Sequence, residues 1–242
     1  MRLDVFLAEK NNISRTRAAN LIKTGGVTVG GKVLEKPGAD ISGEEKIEIV
    51  DTLKFASLGG VKLENALDRF HIVLTNKRCL DVGAANGGFT DCMLKRGAAS
   101  VTAVDLHVAF PEELASDPRV LIADGVNAKD LLSVFPDRSF DLISVDLSFI
   151  SLGSLFTVFH SLLSESGDLI CLFKPQFEIG KNDLPKSGVV RDKKKIEKTF
   201  DRFMLSAKEA GLESKGYCEI PQLFEDKNAE RTVLFRAVHA SF

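Results

Sequence analysis

From residue 60 onward, short apolar segments alternate with segments of helical periodicity, and this alternation restricts the chain to few folds. The segments Leu142-Ile143-Ser144-Val145 and Leu169-Ile170-Cys171-Leu172-Phe173 are apolar at nearly every position. Strands of a parallel sheet need that pattern because helices cover both faces of the sheet. Residues 63–70 instead place apolar side chains at the spacing of one helix face. The sequence therefore predicts a doubly wound α/β sheet over about residues 60–242.

The order of the predicted elements is that of a strand–helix repeat with an unusual end. Strands are expected at 79–82, 101–106, 120–123, 141–147 and 168–174, and helices from Gly59 onward, at 90–96 and at about 193–210. The tail from 216 to 238 predicts two strands joined by a charged loop at 225–229, which adds an antiparallel strand to the sheet.

The first fifty residues have a different pattern and predict a small α+β domain. Apolar residues at helical spacing precede Ser14, which suits the N-cap of a second helix. Gly25-Gly26 ends that helix, and Gly30-Gly31 follows a short strand as a tight hairpin would. We therefore divide the chain into residues 1–50, a linker at 51–59, and a large domain at 60–242.

Composition and charge exclude several classes of protein. Apolar residues make up 44% of the chain and charged residues 27%, which excludes a disordered chain. The net charge of -2 provides no overall attraction to nucleic acid or anionic lipid, so a polyanion site would have to be a local patch. The four cysteines form no C-x-x-C pair, and we expect free thiols and no metal site. With no long apolar run and no basic, apolar leader, we expect a soluble, cytoplasmic protein without a membrane partner.

A glycine-rich turn follows the first strand of the predicted sheet, at the place where such folds bind ligands. Gly83 and Gly87-Gly88 give the spacing G-x-x-x-G-G, which differs from the dinucleotide and phosphate-loop motifs and disfavours a nicotinamide oxidoreductase. Asp81 precedes this turn, and Asp105 ends the next strand, where a carboxylate can hold ribose hydroxyls. An acid at position 81 would repel a pyrophosphate but suits the cationic S-adenosylmethionine. The alternative is a tight strand–helix turn without a ligand.

Asp146 and Lys174 close neighbouring strands, so both are expected to face the crevice of the glycine-rich turn. The residues after Asp146 lack the D/N-P-P-aromatic motif of amino-group methyltransferases, and Cys171 is expected to be core packing rather than a nucleophile. A lysine can act as a general base when its pKa falls toward about 7–8, for which a second nearby ammonium is one cause. These residues therefore suit deprotonation of a ribose 2′-hydroxyl.

Six motifs, in this order along the chain, resemble the TlyA (haemolysin A) family of ribosomal RNA 2′-O-methyltransferases. They are Arg2-Leu3-Asp4, Gly59-Gly60-Val61-Lys62-Leu63, 81–91, 146–152, Lys174-Pro175-Gln176-Phe177-Glu178 and Gly188-Val189-Val190-Arg191-Asp192. The resemblance implies an FtsJ-like, Rossmann-like class I methyltransferase sheet that uses S-adenosylmethionine. It also implies a catalytic tetrad of Lys62, Asp146, Lys174 and Glu230, in which spacing alone would not have selected Lys62 or Glu230. The base role stays open between the two lysines.

Further site residues follow from the same resemblance and from the residues around the turn. For the cofactor we expect Asp81, Gly83, Ala84, Gly87, Gly88, Phe89, Asp105, Leu106, Asp124, Gly125 and Asp146. The first fifty residues resemble the ribosomal S-four type RNA-binding module, so ribosomal RNA or a ribosomal subunit is the expected partner. For RNA we expect Arg2, Arg15, Arg17, Lys23, Lys32, Lys36, Lys181, Lys186 and Arg191, which would contact phosphates without reading bases.

Departures from the family pattern keep a second hypothesis open. Ala85-Asn86 replaces a Ser-Thr, residues 106–110 lack the usual Gly-x-x-Gln-Leu, and Asp124-Gly125 replaces a Glu-Arg pair. An RNA-binding or ribosome-assembly factor with weak or lost catalysis would tolerate such changes. A membrane-lytic haemolysin is a third, disfavoured hypothesis, because no segment has the features of membrane insertion.

Overall fold

The computed structural model describes residues 1–180, 183–220 and 228–238. Its N-terminal part consists of two helices, α1 (Leu3–Asn11) and α2 (Arg15–Lys23), beside three short strands, β1 (Val27–Val29), β2 (Lys32–Val33) and β3 (Ile47–Ile49). The strands form an antiparallel sheet in the order β2-β1-β3. The expected cap is present, because the Ser14 side chain accepts a hydrogen bond from the backbone N–H of Arg17 at 3.1 Å. The predicted α+β content of this part is confirmed.

Seven strands form the large sheet. They are β4 (Arg78–Val82), β5 (Ser100–Asp105), β6 (Val120–Asp124), β7 (Phe140–Val145), β8 (Leu163–Phe173), β9 (Leu212–Glu219) and β10 (Arg231–Ala237). Their order is β6-β5-β4-β7-β8-β10-β9. Strands β4 to β8 run parallel, whereas β10 is antiparallel to both of its neighbours. The predicted doubly wound sheet with a C-terminal antiparallel addition is confirmed.

Helices lie between these strands in the chain. They are α3 (Gly59–Arg69), α4 (Gly88–Lys95), α5 (Glu112–Ala115), α6 (Leu131–Val134), α7 (Phe156–Leu162), α8 (Pro175–Glu178) and α9 (Lys193–Glu209). Two short 3-10 turns occupy Ala128–Asp130 and Leu152–Ser154. Two separate buried clusters flank the sheet, one rich in phenylalanine from α7 and α9 and the other built on α3 and α4. Strands β7 and β8 contribute to both clusters, which explains why they are apolar at successive positions.

The structure differs from the sequence prediction at several boundaries. Strand β8 begins at Leu163, five residues before the predicted start at 168, and its first four residues are exposed or half-buried. This extension carries Ser164 and Glu165, so no apolar pattern marks it. Helix α7 was not predicted, because it follows a 3-10 turn without an N-cap side chain.

Residues 51–58, predicted as a linker, are packed against both parts of the chain. Phe55 and Ala56 are buried, and Ala56 donates its backbone N–H to the Asp91 carboxylate at 2.8 Å. From the other side, Arg17 donates to the Ala56 carbonyl at 3.2 Å and to the Asp51 carboxylate at 2.5 Å. The segment therefore contacts both parts of the chain through buried side chains and hydrogen bonds. The division at residues 50 and 59 stays a prediction.

Candidate active site

The turn after β4 lies so close to the backbone of Asp146 that only glycine fits at its first position, residue 83. Gly83 has a φ of +90°, and a Cβ at this position would lie 2.4 Å from the carbonyl oxygen of Asp146. This close approach arises because Asp146 donates its backbone N–H to Val82 at 2.9 Å, extending the β4–β7 pairing into the turn. Gly88, the first residue of α4, would place a Cβ 2.1 Å from the Ser57 Oγ. The turn therefore lies directly against the residue that ends β7 and against segment 51–58.

Asp81 lies behind this turn rather than facing a ligand. Its side chain is fully buried, accepts a hydrogen bond from Thr90 Oγ1 at 2.6 Å and lies 3.4 Å from Ser144 Oγ. Burial raises the pKa of the Asp81 carboxyl to about 7, against the lowering effect of the Thr90 hydroxyl. In this arrangement Asp81 ties β4 to α4 and does not line the cavity described below, and its role toward a cationic ligand stays a prediction.

The other predicted cofactor carboxylates bind backbone groups of the chain. Asp105 accepts N–H groups from Ala85 at 3.0 Å and His107 at 3.1 Å, and Asp124 accepts one from Val108 at 2.6 Å. The segment is completed by a bond from the Ala109 N–H to the Ala85 carbonyl at 2.8 Å. Leu106 and Gly125 belong to the same edge of the sheet, next to these acids. Residues 105–109 are thus folded onto the glycine-rich turn.

A cavity of about 1320 Å³ opens at the carboxyl ends of β4, β7 and β8. Five of the predicted cofactor residues line it: Gly83, Ala84, Gly88, Phe89 and Asp146. The other six do not: Asp81, Gly87, Asp105, Leu106, Asp124 and Gly125. All four predicted catalytic residues line it: Lys62, Asp146, Lys174 and Glu230. The structure therefore brings the glycine-rich turn and the proposed tetrad into one cavity.

Within this cavity the tetrad forms two ion pairs. Lys174 Nζ lies 2.5 Å from Asp146 Oδ1 and donates to Ser148 Oγ at 3.3 Å. Lys62 Nζ, from the first turn of α3, donates to Glu230 Oε2 at 2.5 Å. Each lysine has its own carboxylate partner, and four parts of the chain separated in sequence supply the four groups.

Sequence reasoning missed the residue that fixes the strand next to Glu230. The Arg231 guanidinium lies 4.6 Å from the Phe200 ring centroid and 5.2 Å from that of Tyr217, and it is ion-paired with Glu197. Asn228, two residues before Glu230, accepts the Val190 N–H at 2.8 Å and donates to the Gly188 carbonyl at 2.9 Å. Because these partners come from other elements, no local signal identifies them.

Two further groups at the loop after β7 were not predicted as site residues. Phe149 is 91% exposed at a φ of +67°, and its ring centroid lies 5.0 Å from that of Phe177. Glu178 accepts hydrogen bonds from Ser151 Oγ at 2.6 Å and the Leu152 N–H at 2.8 Å, which fixes the loop after β7. Burial raises the pKa of Glu178 above its ordinary value.

The residues predicted for RNA differ in their surroundings, and their role stays a prediction. Arg2 and Arg15 both contact the buried Asp4, at 2.9 and 3.0 Å, while their side chains stay largely exposed. Arg17 is turned inward onto segment 51–58, so its guanidinium serves packing in this structure. Lys23 lines the cavity. Lys32, Lys36, Lys186 and Arg191 are exposed, and Lys181 lies outside the described residues.

The four cysteines are free thiols, and three of them are buried. Cys79, Cys92 and Cys171 are buried, and burial raises the pKa of each thiol, so the prediction that Cys171 packs in the core is confirmed. Among residues 1–180, 183–220 and 228–238, no group of three His, Cys, Asp or Glu side chains could hold a metal ion. The same residues contain no helix long and apolar enough to span a membrane.

Two family models match the sequence of this chain. Residues 55–237 match the model of the FtsJ-like methyltransferase family, and residues 1–47 match the S4 domain. The chain belongs to the FtsJ-like methyltransferase family. It is therefore an enzyme of a class that uses S-adenosylmethionine, and it carries an N-terminal S4 domain.

Individual relatives extend this similarity over most of the chain. Hemolysin A of Brachyspira hyodysenteriae is 38% identical over 195 residues, which are 79% of this chain and 81% of that protein. The 16S/23S rRNA (cytidine-2'-O)-methyltransferase TlyA of Mycobacterium tuberculosis (strain ATCC 25618 / H37Rv) is 36% identical over 235 residues, 94% of this chain and 88% of that protein. A solved structure named "Putative hemolysin from Streptococcus thermophilus" shares 30% identity at a TM-score of 0.77, covering 98% of this chain and 88% of its own. The predicted resemblance to the TlyA family is confirmed.

Proposed function

We propose that this FtsJ-like methyltransferase transfers a methyl group from S-adenosylmethionine to a ribose 2′-hydroxyl of ribosomal RNA. The observation that carries the proposal is the pair of lysine–carboxylate contacts in one cavity with the glycine-rich turn. The relative from Mycobacterium tuberculosis is named for this reaction on 16S and 23S ribosomal RNA. The S4 domain supports RNA as the partner.

The turn fits an adenosine-containing cofactor because its backbone is accessible from the cavity. Gly83, Ala84 and Gly88 line the cavity, and because glycine has no side chain and alanine only a methyl group, a ligand can approach their peptide groups. When bound, S-adenosylmethionine supplies an electrophilic methyl group on a sulfonium. Asp81 supports the turn from behind, while Phe89 and the Asp146 backbone form its sides. The cavity of about 1320 Å³ exceeds the roughly 1,000 Å³ of a large small-molecule site, which leaves room for a nucleotide.

Of the two lysines, we propose Lys174 as the general base. The Lys174 side chain is 11% exposed and is held by Asp146 and Ser148, both immediately after β7 and beside the Gly83 turn. Its Nζ, in the uncharged form, would accept the proton of the 2′-hydroxyl as the oxygen becomes a nucleophile. Lys62, from α3, and Glu230, which directly precedes β10, would orient the ribose. Holding the hydroxyl in line for attack supplies a large part of the acceleration.

Transfer of labelled methyl to unmodified ribosomal RNA, followed by mapping of the product, tests the proposal. Wild-type protein should yield a 2′-O-methyl nucleotide, and Lys174→Ala should lower kcat by about 10²–10⁴, the usual contribution of a general base. Lys215→Ala is the matched control, since Lys215 pairs with Glu213 on edge strand β9 away from the cavity. A methyl group found on a base, or full activity of Lys174→Ala, contradicts the mechanism.

One observation favours a second function, that of an RNA-binding or assembly factor with weak catalysis. Asp105 and Asp124, at the positions expected for the cofactor ribose and adenine, accept backbone N–H groups of residues 85, 107 and 108. Calorimetry with S-adenosylmethionine separates the two functions. Heat of binding at micromolar ligand supports the enzyme, and no heat at millimolar ligand supports the RNA-binding factor.

A further inference from the structure

One face of helix α2 forms a wall of the catalytic cavity. Thr16, Asn20 and Thr24 line the cavity together with Lys23. Thr16 and Asn20 lie one turn apart on α2, and Thr24, the residue after the end of the helix, continues this row. The opposite face, with Ala18 and Leu21, is buried in the core of the S4 domain. The S4 domain therefore lines the same cavity as Lys62 and Glu230, although Glu230 lies near the other end of the chain.

Contacts with segment 51–58 hold this row in place. Arg17 binds Asp51 and the Ala56 carbonyl, and the hydroxyls of Thr24 and Thr52 lie 2.5 Å apart. Backbone pairing adds a bond from the Val50 N–H to the Gly26 carbonyl at 2.9 Å. The segment then leads directly into α3, whose first turn carries Lys62. The distance between the α2 row and the catalytic lysine is thus set by a short, packed connection.

The row has the chemistry of a sugar–phosphate contact. Thr16 and Asn20 present a hydroxyl and an amide, and neither side chain has a hydrogen-bond partner among the described residues. Such groups donate to phosphate oxygens and accept from 2′-hydroxyls. The four-residue interval from Thr16 to Asn20 extends about 6 Å along the helix, a length of about two stacked nucleotides. No aromatic or carboxylate side chain belongs to the row.

We propose that Thr16 and Asn20 bind the RNA backbone next to the target nucleotide, which makes the S4 domain a part of the active site. The target strand would pass between α2 and the tetrad, with the flanking riboses and phosphates on α2. This inference rests on the proposed function for the identity of the RNA. It differs from general RNA binding by the S4 domain, because it assigns uncharged side chains inside the catalytic cavity rather than surface arginines.

The test compares the double variant Thr16→Ala/Asn20→Ala with wild type on in vitro transcribed 16S and 23S ribosomal RNA. Alanine favours the helix, so α2 is retained, and thermal unfolding checks the fold. Loss of two hydrogen bonds should raise KM for RNA about tenfold or more while the affinity for S-adenosylmethionine stays within twofold. The salt dependence of RNA binding should keep its slope, since no phosphate-neutralising charge is removed. Asn11→Ala is the control, an exposed asparagine of the same domain outside the cavity.

Direct RNA binding, measured by filter retention, separates failure of the inference from failure of the proposed function. If wild type binds the RNA but transfers no methyl group, the proposed function fails, and tenfold weaker binding by the double variant still supports the α2 contact. If the double variant has the wild-type KM and the wild-type RNA affinity, the inference is wrong. Equal loss of S-adenosylmethionine affinity would also overturn it, because the residues would then act on the cofactor side.

Discussion

Replacing Gly83 by alanine should damage the site through one defined contact. The residue has a φ of +90°, and an added Cβ would lie 2.4 Å from the Asp146 carbonyl oxygen, which is backbone and cannot rotate away. The unfavourable φ costs about 1–2 kcal/mol, and forced displacement of packed atoms about 1–3 kcal/mol. We therefore expect the free energy of unfolding to fall by about 2–5 kcal/mol. Because Asp146 must move, Lys174 loses its partner and the turn changes shape.

Gly97→Ala is the matched control for this change. Gly97 also has a φ of +90°, but its added Cβ would meet nothing closer than the Thr75 Oγ1 at 3.4 Å. This variant should lose only the conformational term of about 1–2 kcal/mol. Urea denaturation measures both costs, and calorimetry with S-adenosylhomocysteine should show at least tenfold weaker binding for Gly83→Ala alone. Equal destabilisation of the two variants together with unchanged ligand affinity would refute the reasoning.

Two other predictions follow from buried groups. The Asp81 carboxyl has a pKa of about 7 in the folded protein and an ordinary value of 3.8, so between these values the folded state holds one more proton than the unfolded state. The free energy of unfolding should fall by up to about 4 kcal/mol as pH rises through that window. Asp81→Asn should remove this fall, and denaturation curves at pH 5 and pH 8 for both proteins check it; an identical pH dependence contradicts the assigned pKa. Among the thiols, the half-buried Cys218 should react first with iodoacetamide in the folded protein, because Cys79, Cys92 and Cys171 are buried. Mass spectrometry of the labelled peptides measures the order, and early labelling of Cys171 would show that the core opens.

The sequence predicted the strands of the large sheet well where both faces of the strand are buried. Strand β7 was expected at 141–147 and is Phe140–Val145, because both faces are covered and the apolar run is continuous. The prediction was poorer where local signals are weak. The exposed start of β8 and the uncapped helix α7 gave no pattern to read.

For the site, the strand ends were the informative positions. Asp146 and Lys174 could be selected because parallel strands end at a common edge, and both line the cavity. Lys62 and Glu230 came only from the resemblance to a family. For Asp81 the motif does not determine which way the side chain faces, since an acid two residues before a glycine turn can face the ligand or the core, and here it is fully buried.

By itself, the sequence determined the doubly wound sheet, the small N-terminal domain and the ends of the strands where polar groups collect, because these depend on periodicity and burial within short segments. Only the tertiary structure decided which groups pair. Lys62 and Glu230 are 168 residues apart, and their contact depends on where α3 and β10 pack rather than on any local preference. The same holds for α2, whose neutral side chains line the cavity because tertiary contacts such as that of Arg17 with segment 51–58 place the helix there.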